Sequence, residues 1–101
     1  MKSLIMSAAL LLTSIAYSQN SLCTVAESTV ERIEYYRTAI PYIKMSYVSN
    51  SIEMLIQEDA CLGKYLKPDA QVNLTNEIIT SREASIKNLI VSTLVKVQSE
   101  N

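Results

Sequence analysis

The stretch CTVAESTVERIEYYRTAIPYIKMSYVSNSIEMLIQEDAC, residues 23–61, opens and closes on the only two cysteines of the chain and carries Pro41 near its middle. If the two thiols are joined, everything between them must fold back on itself. In its first half Leu22, Ala26, Thr29, Ile33, Tyr36 and Ile40 recur at alternating steps of four and three, the spacing of one face of a helix. Glu27, Glu31 and Glu34 fall on the other sides, the first two in the early turns where negative charge suits the helix dipole. Arg37 follows Glu34 by three residues, a spacing that permits a weak surface ion pair.

Pro41 lacks the N–H that would bond back to residue 37, and two readings follow. One long helix over about 24–48 is kinked at Pro41 and ends at Ser49-Asn50-Ser51, where Asn50 and Glu53 offer a capping pattern for a new start. Alternatively the first helix ends near Ala39, and Pro41 sits in the first turn of a second helix, where its fixed φ is welcome. The cysteines separate the two. At 1.5 Å per residue the long kinked helix leaves Cys23 and Cys61 about 20 Å out of register, whereas a turn at Pro41 reduces the mismatch to about 7 Å. Disulfide Cα atoms must come within about 7 Å. An internal bond therefore predicts a break at Pro41; a long kinked helix would instead direct the cysteines to a second chain.

With the break at Pro41 the second helix runs from Pro41 to about Leu62, and Gly63 is placed to end it in a left-handed cap. Met45, Val48, Ile52, Leu55, Ile56 and Leu62 share one broad face, and Ile43, Tyr47, Met54 and Cys61 form a second apolar stripe opposite. Two apolar sides suit a helix in a middle position, or one that meets another molecule. Residues 64–73 read as a loop broken by Lys67-Pro68-Asp69. The last segment places Ile79, Ile86, Leu89, Ile90, Leu94 and Val97 on one arc, with Arg82 projecting into it. Thr80 with Glu83 forms a candidate capping box, so the segment is one helix over about 69–99 or two with a break near Ser81.

The ends of the chain and its composition set the class. Met1-Lys2-Ser3, the apolar run Leu4–Ile15 and the small residues Ala16 and Ser18 read as a secretory signal peptide over 1–18, cleaved after Ser18. The run is too short to span about 30 Å of hydrocarbon. Residues 19–101 then form a single domain in which loss of Lys2 leaves eight basic and ten acidic side chains, a formal charge of −2. No concentrated basic face exists, so nucleic acid is not an expected partner. One glycine and two prolines are too few for the turns of a small β domain. The expected fold is all-α: a small three-helix bundle, four-helix if the last helix breaks near Ser81, stapled by Cys23 and Cys61. An even cysteine count in a secreted chain favours the bond, and a domain this small needs one.

Few residues carry chemistry. With no histidine the commonest general base and metal ligand is missing, and Ser-His-Asp and Cys-His arrangements are excluded. Two cysteines and scattered carboxylates make a poor zinc set, and one glycine cannot build a phosphate-cradling loop. The carboxylate pairs Glu27/Glu31, Glu31/Glu34 and Glu58/Asp59 would serve acid–base catalysis only if one member were desolvated and its pKa raised; their positions face water on amphipathic helices. No catalytic residue, metal or cofactor is expected. Tyr36 and Tyr47 fall on core stripes. Asn73-Leu74-Thr75 is a candidate N-glycosylation triplet at Asn73.

The placement of Cys23 and Cys61 is loosely similar in layout to that of the secretoglobins, small secreted helical proteins with a cysteine just inside the mature N-terminus. Leu94–Asn101 has no counterpart to the cysteine those proteins carry at the end of the last helix, so no residue is carried over. The expected function is a secreted, extracellular (periplasmic in a bacterium) non-enzymatic protein that docks a protein partner through Tyr35, Tyr42, Tyr47 and Met54. A carrier of small apolar ligands such as a lipid or pheromone, as a monomer or a homodimer, is the alternative. A membrane-active protein working through its last helix is the third; few cations on that helix weigh against a membrane partner.

Overall fold

The computed structural model describes residues 23–100. The expected signal peptide and Leu22 lie outside that range. The described chain is all-helical: α1 Glu27–Thr38, α2 Met45–Glu58, the single turn α3 Leu62–Tyr65, α4 Pro68–Thr80 and α5 Ile86–Glu100. The last segment does break near Ser81, so the bundle has four principal helices. α2 packs against both α1 and α4, and α5 closes the bundle against α4 and α1.

The chain turns at Pro41, and a Cys23–Cys61 disulfide joins the two sides with its Cα atoms 5.6 Å apart. The local reason is visible in the ladder. The Arg37 carbonyl, which a residue other than proline at 41 could reach, accepts from Ile40 N–H in a tightened last turn instead. Tyr42 and Ile43 N–H both bond to the Ala39 carbonyl, and Lys44 then takes an extended ψ of 134°. These bonds commit residues 39–43 to a turn, so α2 starts at Met45 rather than at Pro41.

The core is a set of helical i, i+4 and i, i+8 rows: Val48, Ile52 and Ile56 from α2, Leu74 and Ile78 from α4, Ile86, Ile90 and Leu94 from α5, all at most 2 % exposed. Full burial of each stabilises by about 1.5–3 kcal/mol. α1 contributes Ile33 and, at its polar start, Thr29. The middle position of α2 is thus served by one broad face, while Tyr47 and Met54 of the expected second stripe are exposed.

Two further boundaries and one cap differ from the sequence reading. α2 ends at Glu58, not Leu62, because Asp59 turns extended and its carboxylate collects the next two free amides, as described below. Gly63 consequently has no positive φ and caps nothing; it lies within α3, where a Cβ would overlap the backbone carbonyl of Gln57. Residues 68–73 are helical, not loop, since Pro68 occupies the first helical position of α4, where its missing N–H costs nothing. At the α4–α5 link Thr80 hydroxyl bonds back to the Asn76 carbonyl within α4, and Ser85 Oγ rather than a Thr80–Glu83 box accepts the Asn88 N–H at 3.3 Å. Arg82 lies exposed on this link instead of in the apolar arc.

Candidate interaction surfaces

The electrostatic centre of the molecule is Asp59, at 6 % exposure the one charged side chain buried among the described residues. Oδ1 accepts the N–H groups of Cys61 and Leu62 at 2.9 and 3.0 Å, which caps the start of α3. Oδ2 accepts the Thr29 hydroxyl at 2.7 Å and the Ala26 N–H at 3.1 Å, at the start of α1. One carboxylate thus joins two helix N-termini beside the disulfide. Burial pushes the Asp59 carboxyl up, but the bonds from Leu62, Thr29, Ala26 and Cys61 outweigh it and hold the group below the usual carboxylate value. Of the Glu58/Asp59 pair only Glu58 faces water. The desolvated partner is nevertheless driven more acidic, opposite to what a general acid near neutrality requires.

A second set of contacts orders the far end of α1. Arg37 Nη1 donates to the carbonyls of Ala84 and Ser81 at 2.9 and 3.3 Å, so the side chain expected to pair with Glu34 pins the α4–α5 link. Its target is 44–47 residues away in sequence, and no local pattern points to it.

The tyrosines expected to recognise a partner are outside. Tyr35, Tyr42, Tyr47 and Met54 are 65, 87, 54 and 55 % exposed. Tyr36, half-buried, stands between Tyr35 and Tyr47 with edge-on ring pairs at 5.4 and 6.1 Å, so three rings form a row across α1 and α2. Such pairs contribute about 0.5–1.5 kcal/mol each. Met54 follows Tyr47 by two turns and extends the row along α2. Tyr42 lies on the turn, outside it. The structure therefore moves Tyr47 from the core to the surface: Val48, one residue on, takes the inward direction.

Two grooves flank α5. The first, about 150 Å³, lies between α1 and α5 beside the disulfide, with Cys23, Val25, Val30, Ile90, Val91 and Leu94 as its apolar lining and Glu27, Glu31 and Lys87 also along it. The second, polar, lies between α4 and α5 and includes Asn73. Asn73 is exposed on α4, whereas Thr75 of the same triplet is 1 % exposed with its hydroxyl on the Gln71 carbonyl. The fold thus encloses the threonine of the triplet and leaves its asparagine exposed.

Among the described residues no three His, Cys, Asp or Glu side chains converge as a metal set, and no helix is long and apolar enough to cross a membrane. No protein-family model, no curated protein and no solved structure matches the chain.

Proposed function

We propose that the protein is a secreted, non-enzymatic interaction protein that docks an extracellular protein on the face formed by Tyr35, Tyr36, Tyr47 and Met54. The observation that carries this reading is the row of edge-on rings across two helices, with Tyr35 and Tyr47 exposed on either side of half-buried Tyr36. Tyrosine supplies large contact area with few torsions to immobilise, and a side chain already held by neighbours loses less on binding. The signal-like residues 1–18 and the disulfide support export to an oxidising compartment. A long-chain lipid carrier ranks second, because the apolar groove has about half of the roughly 300 Å³ from which ligand pockets begin.

The test is site-directed photocrosslinking in the medium of the producing cells. A photoreactive residue at Tyr47 should trap a discrete protein that one at exposed Lys67 does not. The triple variant Tyr35→Ala, Tyr47→Ala, Met54→Ala should lose that partner while melting within a few degrees of the parent. Equal trapping at both positions, or retention by the triple variant, rejects the face as the docking site.

A further inference from the structure

The groove between α1 and α5 is separate from the tyrosine face and has a chemistry of its own. We propose that it binds one small apolar molecule carrying a positively charged amine. Three observations converge on that class of ligand. Val25, Val30, Ile90, Val91 and Leu94 give the groove an aliphatic part, and its volume of about 150 Å³ equals that of an enclosed engineered cavity that takes a single benzene ring. One ring fits; a long acyl chain does not.

The wall is held in place before any ligand arrives. Residues 23–25 form the edge nearest the disulfide, and they are fixed on one side by the Cys23–Cys61 bond and on the other by the adjoining Ala26 N–H on Asp59. A preformed wall removes an ordering cost from binding. The charge at the groove is unbalanced. Glu27 and Glu31, one helical turn apart on α1, set two carboxylates along one wall against the single Lys87 of α5 on the other. An ammonium group over Glu27 and Glu31 meets net attraction, whereas a carboxylate on the same apolar body meets two like charges for one opposite. Both glutamates are exposed, so this preference amounts to about fivefold at most.

The test titrates the oxidised, ¹⁵N-labelled protein with 2-phenylethylamine, 2-phenylethanol and phenylacetate, followed by amide chemical shifts. Shifts centred on Val25, Val30 and Val91 with millimolar affinity, strongest for the amine by about three- to fivefold over the alcohol and weakest for the acid, are expected. Glu27→Gln with Glu31→Gln, both at exposed positions, should make amine and alcohol equal without abolishing either. Val91→Phe should fill the groove and remove all three. Equal binding of the three probes to the parent, tightest binding of phenylacetate, or shifts centred on another surface would overturn the proposal. Should Val91→Phe fail to fold, the double glutamine variant decides it: an amine preference that survives that change refutes the role of the carboxylates.

Discussion

Replacing Asp59 by alanine removes one acceptor and strands four donors: Ala26 N–H, Thr29 O–H, Cys61 N–H and Leu62 N–H. Hydrogen bonds to a charged group contribute about 1.5–3 kcal/mol each, and loss of a capping side chain about 1 kcal/mol. The four bonds share one group, and water can enter the space left by the side chain, so these values do not add. A net loss of about 3 kcal/mol is expected. That is a large share of the roughly 4–12 kcal/mol available to a domain of this size. It corresponds to a fall in melting temperature of about 15–20 °C, measured by circular dichroism at pH 7. Asp59→Asn should lose about half as much, because its carbonyl oxygen keeps Cys61 and Leu62 while its amide nitrogen opposes the Ala26 N–H. The pH profile supplies the control. Since folding lowers the Asp59 pKa, the unfolded chain binds the proton more tightly; the stabilisation is present above the ordinary carboxylate value and is lost as pH falls through the folded one. The parent should therefore lose stability below about pH 4 more steeply than Asp59→Asn. If Asp59→Ala melts within 3 °C of the parent, or the two acid profiles run parallel, the assignment of Asp59 as the clamp is wrong.

Reduction of the disulfide, which closes a loop across a sequence separation of 38, should cost about 4 kcal/mol; reduced and oxidised protein melting together would refute the staple. Gly63→Ala should lose about 2 kcal/mol in urea denaturation, because the new methyl group meets the Gln57 carbonyl rather than a flexible side chain; a neutral result would show that α2 and α3 can shift apart. Arg37→Ala should lose about 1–2 kcal/mol and speed hydrogen exchange at residues 81–85, and Arg37→Lys should recover only part of it; unchanged exchange would remove Arg37 from the α4–α5 link.

Much of the fold was legible because it follows from backbone-scale rules. The rows Val48–Ile52–Ile56 and Ile86–Ile90–Leu94 are helical spacings, and the choice of Pro41 as the turn followed from how far a helix can carry two cysteines apart. What escaped depends on contacts distant in sequence. Nothing near Asp59 announces that its Oδ2 meets Ala26 and Thr29, 33 and 30 residues earlier; without those bonds Asp59 is another acidic residue at the end of a helix and Gly63 is the natural place to stop. The tyrosine face was half legible: composition singled out Tyr35, Tyr42, Tyr47 and Met54, but the projected stripe put Tyr47 in the core. The projection had the directions right, since they do not depend on where the helix starts: Tyr47 and Met54 lie on the side of α2 opposite Val48, Ile52 and Ile56, and what it lacked is that this side stays exposed.

The turn over residues 39–43 explains why the ring row can exist. Tyr35 and Tyr36 lie in the last turns of α1, Tyr47 in the first turn of α2, and the Pro41 turn brings these ends side by side. At the opposite end of the hairpin Cys23–Cys61 and the Asp59 bonds to Ala26 and Thr29 join the start of α1 to the end of α2. The hairpin is therefore closed at both ends, by backbone at one and by a disulfide with a carboxylate at the other. A pair of helices tied at one end only could rotate and separate the rings. Tied at both, it holds Tyr36 against Tyr47 in the free protein, so the ordering of that face is met during folding rather than at the encounter with a partner. The clamp residues Cys23, Cys61 and Asp59 and the ring row Tyr35, Tyr36 and Tyr47 are thus different residues at opposite ends of one hairpin, with Met54 of the proposed docking face between them. If the proposed docking holds, substitutions at the clamp should weaken it only through loss of folded protein.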